Sequence, residues 1–276
     1  MRAFSALGLS VLMAMGWHGQ AVAASSDWQD FNNGRARLVT GQHDGQTYIA
    51  MQLDLAPGWH SYWQYPGASG ISPEFNFTGS GDTDFGPVIY QAPYFFDDEA
   101  GGFYGYQGQV GFAAPLMRPQ GQLRLEAFIG VCREICIPVE LSLALDWQAS
   151  NEPADNAFIG QVLAARPAAP SARLAIGNAS FDGVSLQVVI TGQALENPVL
   201  MAVPGPHDVL GSPYIAARHA NAFLVEMPAW SKLDHPLIGR SLNFIVRDGG
   251  HAIEQLVKVS DHRLMSQTED DNEVTK

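Results

Sequence analysis

The 276-residue chain carries 15 Lys and Arg against 28 Asp and Glu, a formal charge of −13. Such a surface repels nucleic acid and anionic lipid, and excludes both as partners. This length predicts one large or two ordinary domains. The 28 Gly, the 17 Pro and many short alternating segments point to β structure.

Met1 and Arg2 make a short positive start, Ala3 to Gly16 are uncharged and mostly apolar, and Ala21-Val22-Ala23 supplies a small-x-small cleavage pattern. This reads as a secretory signal peptide over residues 1–23, too short and wrongly flanked for a membrane span. Cleavage after Ala23 removes one positive charge and leaves no cysteine at the new N-terminus for a lipid anchor. No later run approaches the roughly 20 apolar residues of a transmembrane helix. A soluble protein in an oxidising exported compartment, a bacterial periplasm, is therefore expected.

Ile49, Met51, Leu53 and Leu55 alternate along a half-buried strand, Tyr48 to Leu55. A long aromatic loop follows from Pro57 to Pro73, containing Trp59, His60, Tyr62, Trp63 and Tyr65, with Pro and Gly that exclude regular helix. Asp97 to Tyr106 is turn-rich, with aromatics that look exposed. Leu123 to Val131 and Ile137 to Leu145 then alternate as two strands of a hairpin whose tip is Cys132 to Cys136. Asp155 or Asn156 is expected to cap a short helix through Arg166, with Phe158, Ile159, Val162 and Leu163 on one side. Arg166 to Ser171 reads as a linker. A second β-rich unit follows, with strands at Val184–Ile190, Val199–Val203, Ala222–Met227, Leu242–Val246 and Ile253–Val259. Glu269, Asp270, Asp271 and Glu273 belong to an acidic tail.

Cys132 and Cys136 are the chain's only cysteines. A bridge between them closes a ring of about five residues, which chain entropy values at roughly 2 kcal/mol, against roughly 4.7 for a hundred-residue loop. Backbone pairing already closes this hairpin, so the bridge is a poor staple. Residues flanking a three-residue tip also lie close enough for a disulfide, and accessible bridges tend to be the labile ones. Arg133 favours a neighbouring thiolate and Glu134 opposes it. The residues alone thus leave a redox pair and a structural bridge both open. Structural zinc needs two further ligands, and no nearby His or Cys supplies them.

The string Gly58-Trp59-His60-Ser61-Tyr62-Trp63, then Pro66-Gly67 and Gly70-Ile71-Ser72-Pro73-Glu74-Phe75, precedes Phe103-Tyr104-Gly105-Tyr106 and Val131-Cys132-Arg133-Glu134-Ile135-Cys136-Ile137-Pro138. In order and spacing these motifs resemble the exported N-terminal region of DsbD-type thiol:disulfide interchange proteins, in particular the branch with ScsB-like copper-tolerance proteins. The resemblance covers Gly58 to Pro138. It implies an immunoglobulin-like domain whose cysteine pair is reduced by a membrane domain and then reduces periplasmic thioredoxin-fold partners. By the same resemblance Cys136 attacks the partner, Cys132 resolves the mixed disulfide, and Phe103 is a cap over the bridge, with Tyr104 beside it. The family's best-known members have five residues between the cysteines and an acidic pair directly before the cap Phe. Here three residues intervene, Gly101 and Gly102 precede Phe103, and Asp98 and Glu99 lie further upstream without an assigned role. Full-length members continue into membrane and thioredoxin domains, whereas this sequence stops after the second β unit, so a separate membrane thiol reductant is expected.

The resulting plan is an all-β protein of two immunoglobulin-like antiparallel sandwiches. Residues 1–23 are the signal, 24–150 the redox sandwich, 151–171 the helix and linker, 172–264 the second sandwich and 265–276 the acidic tail. Trp59 and Trp63 are candidates for a partner surface, with packing under the aromatic loop as the alternative; Tyr62 belongs to the same choice. His60 reads as packing rather than as a ligand. His207, His219, His235, His251 and His262 show no ligand spacing, and no cofactor fingerprint is present. Two other functions stay open: a non-catalytic binding module with a closed bridge, and a copper-handling accessory, although the 8 Met are dispersed.

Overall fold

The computed structural model describes residues 25–67, 70–97, 102–148, 152–205, 208–229, 233 and 236–261. The expected signal peptide, Asp98, Glu99, Gly101 and the acidic tail lie outside these residues. The chain forms β1 (Gln29–Phe31), β2 (Gly34–His43), β3 (Gln46–Leu55), β4 (His60–Gly67), β5 (Glu74–Gly79), β6 (Asp84–Phe85), β7 (Tyr94–Phe96), β8 (Phe103–Gln107), β9 (Gln109–Met117), β10 (Gln122–Cys132) and β11 (Cys136–Asp146). After α1 (Pro153–Ala164) come β12 (Leu174–Phe181), β13 (Ser185–Gly192), β14 (Val199–Val203), β15 (Tyr214–His219), β16 (Ala222–Pro228), β17 (Ser241–Asp248), β18 (His251–Lys258) and β19 (Ser260–Asp261). Apart from a short parallel pairing of β12 with β19, the ladders between these strands are antiparallel.

The first sandwich packs the sheet β1-β2-β3-β9-β6 against β11-β10-β4-β8-β7, with β5 added on β10. Asp44 and Gly45, both at positive φ (49° and 79°), turn β2 into β3, the backbone that an Asp-Gly hairpin adopts most easily. Leu38, Ile49, Met51, Leu53, Phe112, Leu123, Leu125 and Ile129 fill the space between the sheets. In β10 and β11 the expected alternation holds, and the register pairs Leu123 with Leu145 at one end and Cys132 with Cys136 at the other.

Two expected loops are strands. His60 to Gly67 is β4, central in its sheet, and Phe103 to Gln107 is β8 beside it. The aromatics of β8 are buried, not exposed: Phe103, Tyr104 and Tyr106 are 5, 4 and 3 % accessible. Both strands are covered on both faces at this point, so they show no polar alternation to read.

Helix α1 buries Phe158, Ile159, Val162 and Leu163 against Val39, Ala50 and Ala113, on the outside of the first sheet. Its N-cap is Glu152, followed by Pro153 in the first turn. The two residues expected to cap it serve β2 instead. Asn156 Oδ1 accepts the Gln42 N–H at 2.7 Å, and Asp155 lies 3.8 Å from Arg37. The linker is pinned as well: the Ala168 N–H donates to Ala252 O, and its carbonyl accepts from Glu254 N.

The second sandwich packs β15-β16-β13-β12-β19 on β14-β17-β18. In the smaller sheet β14 and β17 are buried on both faces. Leu200, Ala202, Phe244 and Val246 enter the second core, while the intervening Met201 and Ile245 enter the first. This is the period-2 geometry of a strand serving two cores, and it makes the two sandwiches share apolar surface. Among the described residues no helix is long and apolar enough to cross a membrane.

Candidate functional site

Cys132 ends β10, Cys136 begins β11, and the two form a disulfide with 4.1 Å between their Cα atoms. The three tip residues are exposed, Ile135 at 68 %. The Arg133 guanidinium lies 5.7 Å above the Trp59 ring and 3.7 Å from the Glu134 carboxylate. The two charges expected to act on the thiols in opposite senses are thus paired with each other. The two sulfurs stand in different surroundings: Cys132 is 2 % accessible, whereas Cys136 is exposed.

What covers Cys132 follows from strand order. β4 lies between β10 and β8, with Cys132 opposite His60 and His60 opposite Gln107. Alternation then sorts the aromatic motifs onto two faces. Trp63, Tyr104, Tyr106 and Val131 point into the main core. Tyr62, Phe103 and Cys132 form a separate buried cluster on the other face, packed by Ile71 and Phe96. Phe103 stacks on His60 at 4.2 Å and on Phe96 at 4.9 Å, and meets Tyr62 edge-on at 5.3 Å. The site therefore lies on the outer face of a sheet whose inner face is the core.

The motif Phe103-Tyr104-Gly105-Tyr106 divides its work along this strand. Phe103 covers the bridge side. Tyr104 donates its hydroxyl to Leu200 O at 3.3 Å and Tyr106 to Gln91 O at 2.8 Å. Burial raises both phenols well above their ordinary range and keeps them neutral. Gly105 permits close approach: a Cβ there would come within 2.1 Å of Ser61 O on β4.

Of the residues expected at a cap or partner surface, Phe103 lies in the bridge cluster and Trp59 is half-buried beneath Arg133. Trp63 and Tyr104 are 1 % and 4 % accessible and belong to the main core, so neither presents a surface in this conformation. His60 is buried against Phe103, which is the packing alternative.

The contact not foreseen is made by Tyr62. Its hydroxyl lies 2.8 Å from Cys132 Sγ and 3.0 Å from Cys136 Sγ. Reading His60-Ser61-Tyr62-Trp63 as a strand would have put His60 and Tyr62 on the same face and Trp63 on the other. That signal was hidden by the flanking Pro and Gly.

Residues 32–146 match the family described as thiol:disulfide interchange protein DsbD, N-terminal. The first sandwich is a DsbD-type N-terminal domain. The fold as a whole is similar to the crystal structure of the N-terminal periplasmic domain of ScsB from Proteus mirabilis, with a TM-score of 0.73 at 23 % identity. That alignment covers 87 % of this chain and 99 % of the other, so the likeness extends through the second sandwich. No curated protein matches the chain significantly. The family match suggests a thiol:disulfide interchange module, and the disulfide between Cys132 and Cys136 at the hairpin tip of this domain fits it.

Proposed function

We propose that this protein is a periplasmic thiol:disulfide exchange module, exported by residues 1–23, that passes electrons through Cys132 and Cys136 to thioredoxin-fold partners. The observation that carries this reading is the asymmetry of the bridge: one sulfur exposed at the tip, the other buried under Phe103 and Tyr62. An attacking sulfur must reach its target in line, and only Cys136 is open to one.

In the reduced state the Cys136 thiolate attacks a sulfur of the partner disulfide. The Cys136–partner bond forms, the partner S–S bond breaks, and the departing partner thiolate takes up a proton. The Cys132 thiolate then attacks Cys136 Sγ, re-forming the intramolecular bridge and releasing the partner's second thiolate. Two electrons pass to the partner, and a second dithiol donor must restore the pair. Phe103 acts as the cap that shields Cys132 until a partner displaces it, held by its ring stacks.

Trapping tests this directly. Cys132→Ser, mixed with an oxidised thioredoxin-fold protein, should accumulate a reducible adduct through Cys136, and Cys136→Ser should not. Adducts through Cys132 alone would reverse the assignment. A pair with a reduction potential well below about −300 mV and no exchange would make the bridge structural.

A further inference from the structure

We propose that the Tyr62 hydroxyl is a catalytic hydrogen-bond donor that stabilises thiolate charge on both sulfurs during exchange. This deepens the exchange reading above and rests on it.

The oxygen is within 3.0 Å of each sulfur. In the disulfide neither sulfur carries a hydrogen, so the phenol must donate, its one proton shared between two acceptors. A disulfide sulfur is a weak acceptor and a thiolate a strong one. The contact therefore strengthens as negative charge develops, which is the condition for lowering a barrier rather than merely binding the resting state.

The position matches where the charge must go. When a partner thiolate attacks Cys136 Sγ, the leaving group is Cys132, and its thiolate is expelled into a cluster of Tyr62, Phe103, Phe96 and Ile71, with the buried His60 ring, packed against Tyr62 and Phe103, as a further titratable neighbour. A thiolate in apolar surroundings is costly unless a donor meets it. The same hydroxyl meets Cys132 in the forward resolving step. Because it also reaches Cys136 Sγ, it favours the ionised form of that thiol before attack and so raises the fraction present as thiolate. No proton leaves Tyr62 in either direction: the bonds made and broken are sulfur–sulfur bonds, and Tyr62 only donates.

The ring is held in a slot. A Cβ at residue 130 would meet Tyr62 ring carbons at 2.9 and 3.0 Å, and one at residue 70 would meet them at 2.5 and 2.6 Å. Gly130 lies within β10, where glycine weakens a strand by roughly 0.5–1 kcal/mol relative to alanine. Gly70 has φ +123°, which L side chains rarely adopt. Two glycines thus clear the space for one phenol, and a donor fixed in advance needs no reorganisation when charge appears.

The test is Tyr62→Phe, which removes one oxygen and leaves the ring in its slot. Alkylation of the reduced protein by iodoacetamide is followed against pH in Cys132→Ser and Cys136→Ser backgrounds, and exchange of the oxidised protein with a reduced thioredoxin-fold protein, the direction in which Cys132 leaves, is timed at neutral pH. Loss of a charge-assisted bond predicts alkylation midpoints raised by about one unit or more and exchange slowed roughly 10- to 100-fold. A merely structural role would lower the melting temperature and leave the midpoints in place. Midpoints and rates within threefold of the parent, in a parent that exchanges, overturn the role of Tyr62 alone. A parent that does not exchange overturns the underlying reading instead. If Tyr62→Phe fails to fold, 3-fluorotyrosine at residue 62, a stronger donor of nearly the same shape, should lower the midpoints; unmoved midpoints overturn the proposal.

Discussion

Phe103→Ala separates a lid from a core residue. The Phe103 side chain is 5 % accessible, stacked on His60 and Phe96 and edge-on to Tyr62. Removing a buried Phe costs about 3–5 kcal/mol when the site cannot collapse. Here the lower end applies, about 3 kcal/mol, because the ring belongs to the outer cluster and not to the core between the sheets. The variant should therefore stay folded. Its bridge, however, loses the ring that covers Cys132. Alkylation of Cys132 by iodoacetamide in the Cys136→Ser background, without denaturant, should become faster by an order of magnitude or more, while urea unfolding reports the stability loss separately. A variant destabilised by about 3 kcal/mol but alkylated at the parent rate would refute the lid and leave Phe103 as packing.

Gly105→Ala places a Cβ within 2.1 Å of a backbone oxygen that cannot rotate away. β8 must then lift from β4, at a cost of about 1–3 kcal/mol by urea unfolding; an unchanged midpoint would contradict the close approach. Arg247 on β17 donates from Nη2 to Ala92 O at 2.7 Å and from Nε to Pro93 O at 3.0 Å, and sits 4.0 Å over Tyr94. Arg247→Ala should cost about 1.5–3 kcal/mol and speed amide exchange across β7, which borders the cap strand; unaltered exchange there would remove the second sandwich as its anchor. Burial raises the Asp155 carboxyl above its ordinary 3.8, and Arg37 opposes the shift. An acid with a raised folded pKa binds its proton more tightly when folded, so its contribution is full below pH 3.8 and declines as pH rises through the folded value. Asp155→Asn should flatten that part of the stability curve.

The hairpin that carries the bridge was legible because β10 and β11 face solvent on one side along most of their length, so Leu123, Leu125 and Ala127 alternate with Arg124 and Glu126, and Leu141, Leu143 and Leu145 with Ser142 and exposed Ala144. β4 and β8 were not, since both faces of each are covered and proline and glycine flank them. For the same reason Tyr104 read as an exposed aromatic and Trp63 stayed open between surface and packing, and both lie in the core. The helix was visible from its apolar stripe, yet Asp155 and Asn156 serve β2, because a residue able to cap can equally bond a neighbouring strand. β12 and β15 passed unread beside the more strongly apolar strands of their unit.

Local pattern alone determined the all-β class, the two units, the hairpin and the cysteine pair at its tip, because strand period and turn chemistry act over a few residues. The tertiary structure alone decided which sulfur is open and which is covered. Tyr62 and Cys132 are 70 residues apart in sequence, and only the sheet order β10-β4-β8 brings a phenol, a cap ring and the bridge onto one face. Side-chain chemistry can be read along a chain; which side chains meet across a sheet is set by strand order and register, which no local pattern encodes.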